Sequence, residues 1–148
     1  MCYFVSVGAK APARLLAEAF DEHAALEVAV SPVCAPVTSA FPADDQVCLV
    51  TWRGCSCDLI RPAKDAWARS PGSNKLTAAF QAGVVRVATH LGSVRLLVQR
   101  HRPPYRLPAP SPRLALTLHE FVSGESWLAE DVLLDISAGG SSSLVASS

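Results

Sequence analysis

The stretch from Val47 to Ile60, VCLVTWRGCSCDLI, constrains the fold more than any other part of the chain. Val47, Leu49 and Thr51 alternate with Cys48, Val50 and Trp52, so a strand over Gln46–Arg53 is close to apolar on both faces. Such a strand belongs near the middle of a sheet. Gly54 stops it and delivers Cys55, Cys57 and Asp58 to its end, the densest group of reactive side chains at any structural boundary in the sequence.

The flanking segments supply the partners for that strand. Residues 2–8, CYFVSVG, are rich in aromatic and β-branched types and close on Gly8, which predicts a first strand. Pro12 suits a first helical turn, and Leu15, Leu16, Ala19, Phe20 and His23 follow at helical spacing, giving a helix over about 11–24. Residues 26–30 read as a second strand, and 31–45, with Pro32, Pro36, Pro42 and Asp44-Asp45, as loop. After the third strand, 54–73 is a long connection with a short helix around 64–68. Leu76, Phe80, Val84, Val87 and Leu91 then form one apolar stripe, with Ser73 or Asn74 to cap the helix and Gly92 just past its end. Ser93–Arg100 is a fourth strand, followed by a proline-rich connection over 103–112. Arg113–Val122 alternates like a strand, and a last strand covers about 131–136. Residues 137–148, SAGGSSSLVASS, have the composition of a disordered tail, which leaves one domain over 1–136.

Strand, helix, strand, strand, helix, strand is the order of a ferredoxin-like sandwich. The expected class is therefore α+β: a ferredoxin-like antiparallel sheet (βαββαβ) with two helices on one face and two extra C-terminal strands. In that topology the first and third strands are central neighbours, and the first begins where the third and fourth end. Cys2, Cys55, Cys57 and His101 then share one sheet edge. Cys34, Cys48 and His90 fall at the other, about 20 Å away for a six-residue strand.

Three thiols and an imidazole make a structural zinc set, so Cys2, Cys55, Cys57 and His101 are candidate metal ligands and zinc the candidate cofactor. The N-terminus of the long helix faces the same edge, where its free N–H groups favour a thiolate. The spacing is unusual for zinc, because only Ser56 separates Cys55 from Cys57. The structural alternative is a pair of small turn residues with Cys2 as an apolar strand residue. Cys2 is also the candidate catalytic nucleophile: once Met1 is removed, its own α-amine can serve as the local base. The opening Met1-Cys2 resembles that of class II glutamine amidotransferases and some other N-terminal nucleophile hydrolases. That resemblance covers two residues and lacks the glycine-rich continuation after the cysteine.

Composition decides between classes of partner. Half of the residues are hydrophobic and 18% are charged, against about 25% charged in a typical soluble domain. Either the sheet is covered on most sides or an apolar surface is buried against another subunit. Lys plus Arg equals Asp plus Glu, so there is no basic excess of the kind that marks a nucleic-acid binder. Arg100, His101, Arg102 and Arg106 read as a solvated loop. No apolar run approaches the roughly 18 residues of a membrane span, and MCYFVSVGAK lacks a basic leader region. Five cysteines, an odd number, fit a reducing compartment, the cytoplasm. His23, His90, His119 with Glu120, the pairs Asp44-Asp45 and Glu130-Asp131, and Trp52, Trp67 and Trp127 read as core or solvated residues. The leading expectation is a small cytoplasmic binding or interaction domain, homo-oligomeric and non-catalytic. A zinc protein and a cysteine-nucleophile enzyme are the alternatives.

Overall fold

The computed structural model describes residues 2–21, 27–29, 35–65, 74–101 and 112–139. Met1, His23, Cys34, Trp67, Ser73, Arg102, Arg106, the prolines of 103–110 and the segment 140–148 lie outside them, and only the backbone of His101 is described. The elements in chain order are β1 (Cys2–Ala9), α1 (Ala13–Asp21), β2 (Glu27–Ala29), α2 (Ala35–Thr38), β3 (Gln46–Thr51), α3 (Cys57–Lys64), α4 (Asn74–Leu91), β4 (Ser93–His101), β5 (Arg113–Thr117), α5 (Leu118–Ser123) and β6 (Leu133–Ser137). The strands form one sheet in the order β2-β3-β1-β4-β6-β5. β1 lies between β3 and β4, antiparallel to both, with Val5 opposite Val50 and Cys2 opposite His101.

Strand pleating sorts the core into two layers. Tyr3, Val5, Val7 and Ala9 of β1 join Cys48 and Val50 of β3 and Val94, Leu96 and Val98 of β4 on one face. Leu16 and Phe20 of α1, Leu59 and Ile60 of α3, Phe80, Val84 and Val87 of α4, and Phe121 and Trp127 pack over them. The apolar stripe of α4 thus lies where its spacing requires, and Gly92 follows the helix at φ +89°. At Gly83 a Cβ would sit 2.3 Å from the Phe20 ring, so glycine there lets α1 and α4 approach closely. The second face carries a smaller cluster, with Val37 and Phe41 beside Val47, Leu97 and Leu133.

Four expectations fail here. The sheet is not wholly antiparallel, because β5 pairs with β6 in parallel. The alternating run from Arg113 ends at Thr117, whose hydroxyl accepts from the Glu120 N–H at 3.1 Å while the Glu120 carboxylate accepts from the Thr117 N–H at 2.7 Å. This reciprocal capping box starts α5 where a strand was expected. The segment containing α5 then provides the crossover that a parallel pair needs. Next, the helix in the connection after β3 starts earlier than the expected 64–68: α3 begins at Cys57, with Asp58 in its first turn and Arg61 and Lys64 in its last, both favourable to the helix dipole, and 66–68 lie outside the described residues. Lastly, helices are more numerous than the two long ones and one short one expected, and the short α2 stands in the segment read as loop.

The acid pair Asp44-Asp45 also divides in two. Asp44 is exposed and lies 3.0 Å from Lys10, and that hydrogen bond holds its carboxyl below the ordinary value. The Asp45 side chain is fully enclosed. Its two carboxylate oxygens accept from Nε and Nη2 of Arg95, each at 2.7 Å, and the Arg95 side chain is only 8% exposed. Ser93 Oγ takes a third guanidinium bond at 3.0 Å.

Candidate functional site

The corner after β3 is built from a two-residue turn. Arg53 (φ 53°) and Gly54 (φ 83°) both occupy the left-handed region. Trp52 N–H donates to the Cys55 carbonyl at 2.8 Å, and Cys55 N–H returns to the Trp52 carbonyl at 3.3 Å. Positive φ at both central positions is the hairpin geometry that matches strand twist, and glycine takes the second of them without strain. The Arg53 guanidinium lies 4.3 Å from the centre of the Trp52 ring.

The turn returns the chain so that Ser56 lies alongside β1. Its N–H donates to the Tyr3 carbonyl at 3.2 Å. Its hydroxyl donates to the Val50 carbonyl at 2.6 Å and accepts from the Val5 N–H at 3.0 Å. The fully buried hydroxyl thus bridges β1 and β3 at their register pair Val5–Val50. Ser56 precedes α3 but makes no side-chain cap.

Two thiols flank this serine. Cys57 N–H donates to Cys55 Sγ at 3.3 Å, and Tyr3 N–H donates to Cys57 Sγ at 3.3 Å. Cys57 is 7% exposed, whereas Cys55 is half-buried. Burial pushes the Cys57 thiol above its ordinary value, against the Tyr3 N–H, and the adjacent Cys55 adds to the rise.

Beside them stands a charged cluster. The Tyr3 ring has Lys64 Nζ 5.5 Å and the Arg100 guanidinium 5.6 Å from its centre. Lys64 pairs with Glu130 at 2.8 Å. Among the described residues the buried Tyr3 hydroxyl has no hydrogen-bond partner, and burial raises its ionisation point despite the two cations.

Of the four candidate metal ligands, the fold brings Cys55 and Cys57 together and leaves Cys2 apart. Cys57 packs with Tyr3 on the helix-covered face. One residue earlier on β1, the pleat turns Cys2 toward the opposite face, where it is exposed. His101 is the register partner of Cys2, but its imidazole is outside the described residues. Among the described residues no three His, Cys, Asp or Glu side chains are grouped to hold a metal ion. As candidate nucleophile, Cys2 sits at the exposed start of β1.

Cys48 is a core residue with no exposure, and burial pushes its thiol up to about 12. An unfolded chain releases this proton near 9, the ordinary value, while the folded chain holds it to about 12. The stabilising contribution is therefore complete below pH 9 and lost as pH rises toward 12. Denaturant titrations should show this as a fall of about 1.4 kcal/mol per pH unit that is missing from Cys48→Ala. Equal slopes in the two proteins would contradict it.

A second site was not anticipated from the sequence. Between α1 and α4 runs an open groove of about 570 Å³, lined by Leu15, Ala19, Val85 and Leu91 with Glu18 and His90 among its polar residues. The Arg86 guanidinium crosses it to the Ala19 carbonyl. Helix α1 buries Leu16 and Phe20; Leu15, Leu16 and Ala19 line the groove, and Ala19 packs against the core as well. His119, expected on a strand, is exposed on α5. Trp127 is core, edge-on to Phe121 at 5.6 Å. No helix among the described residues is long and apolar enough to cross a membrane.

No family model matches this chain, and neither the curated proteins nor the solved structures give a match.

Proposed function

We propose that the chain is a small binding domain that acts as a homo-oligomer, with the α1/α4 groove as its contact surface. The observation that carries this is the groove itself. Its volume of about 570 Å³ lies within the roughly 300–1,000 Å³ of ligand sites, and its walls have their character, apolar with a few polar groups. The occupant is a second copy. A two-fold contact sets one patch against itself, and this patch carries both signs, with Glu18 and Arg86 lining the groove and Arg14 beside it on α1, 3.9 Å from Glu18. Glu18 of one copy can therefore face a cation of the other. The low charge fraction of the chain points the same way. A cytoplasmic setting fits the free thiols Cys2, Cys48, Cys55 and Cys57. The ferredoxin-like reading of the first six elements is supported by the run β2-β3-β1-β4 within the sheet.

Sedimentation tests the proposal. Dimer is expected to form with increasing concentration, and Leu15→Glu, at a half-exposed groove position, should weaken it by tenfold or more. Val122→Glu changes the most exposed large apolar residue described, on α5, and should leave association unchanged. A monomer at every concentration, or dissociation by Val122→Glu alone, would overturn it, as would binding of a small apolar probe in the groove of a chain that never associates.

A further inference from the structure

We infer that Cys55 and Cys57 form a reversible dithiol–disulfide couple. The turn–helix junction holds the two residues against each other: Cys55 Sγ takes the Cys57 N–H at 3.3 Å, within reach of the residue that carries the second sulfur. A disulfide needs Cα atoms about 4.4–6.8 Å apart, a span open to residues two apart where a turn runs into a helix. The two sulfurs also differ in access. Cys55 is half-buried behind the exposed pair Arg53-Gly54, and the space around Gly54 is open. Cys57 lies beneath, 7% exposed, with its sulfur on the Tyr3 N–H. An accessible thiol in front of an enclosed one is the arrangement of an attacking and a resolving cysteine.

A small disulfide such as oxidised glutathione serves as oxidant. The Cys55 thiolate attacks one of its sulfurs; a bond forms between that sulfur and Cys55 Sγ, the glutathione S–S bond breaks, and one glutathione thiolate leaves and takes a proton. Cys57 then loses its proton to water and attacks Cys55 Sγ. The Cys55–Cys57 bond forms, the mixed disulfide breaks, and the second glutathione leaves as a thiol. Two protein thiols are oxidised and one glutathione disulfide is reduced to two thiols.

The test is to equilibrate the full chain in glutathione buffers of graded ratio, alkylate the remaining thiols and map the peptides by mass. The expected product is an internal Cys55–Cys57 disulfide, two hydrogens lighter, reversed by dithiothreitol, with Cys48 still reduced. Cys57→Ser should instead accumulate a glutathione adduct on Cys55, and Cys55→Ser should give neither product at this corner. A lasting adduct on Cys55 of the unchanged chain without the internal bond would overturn the inference, as would a disulfide joining Cys55 or Cys57 to any other cysteine. The unchanged chain decides the matter even where a variant folds poorly.

Discussion

Arg95→Met is expected to destabilise the chain by about 3–5 kcal/mol, the usual consequence of removing one partner from a buried ion pair. Asp45 has no exposed side-chain surface and both of its oxygens are bound to the same guanidinium. With Met at position 95 the carboxylate has lost its charge partner and has no route to water without moving the segment that carries it. Asp135 does not replace the lost partner, since it is a carboxylate itself, half exposed and 3.8 Å from the guanidinium. The double change Asp45→Leu with Arg95→Met removes both charges and leaves apolar side chains beside Phe41 and Leu97. Buried pairs exchanged in this way are often neutral or better, so the double variant should recover most of the loss. Urea unfolding of the three variants checks this; a double variant as unstable as Arg95→Met would show that the ion pair itself is not the source.

Ser56→Ala should cost about 2–4 kcal/mol, because it orphans a buried N–H on Val5 and a buried carbonyl on Val50. The position before α3 invites a different reading, that Ser56 is a helix cap, and the two are separable. A cap accepts hydrogen bonds, so Asp serves as well as Ser. The bridge between β1 and β3 requires a group that also donates, to the Val50 carbonyl at 2.6 Å. Ser56→Asp should therefore be worse than Ser56→Ala, placing a charge between two strands. If Ser56→Asp matches the unchanged chain in denaturant midpoint, the hydroxyl is a cap and not a bridge.

What could be read from the sequence was what repeats locally. The stripe Leu76 to Leu91 declared α4, and the two-sided apolarity of 47–52 placed β3 next to the central β1. The capping box at Thr117 and Glu120 was present as a Thr-x-x-Glu spacing, but it was masked by an alternating run that continued past it. The true start of helix α3 was masked by Pro62 inside it, which reads as a breaker and pushed the expected helix to 64–68. Other features had no local signature at all. Arg95 and Asp45 are fifty positions apart and meet only because the sheet is folded. The separation of Cys2 from Cys57 depends on pleat parity, which a statement about sheet edges does not contain. The groove had no signature because the residues of α1 that line it, Leu16 and Ala19 among them, belong to the same stripe that packs the core, and it exists only once α4 lies against α1.

Self-association through the α1/α4 groove is the central claim, and amide hydrogen exchange on the unchanged chain at low and high concentration tests it most directly. The expected result is slowing confined to α1 and the second half of α4 as concentration rises, with β5 and α5 unaffected. Exchange that does not depend on concentration, or slowing at β5 in place of the groove helices, would contradict it.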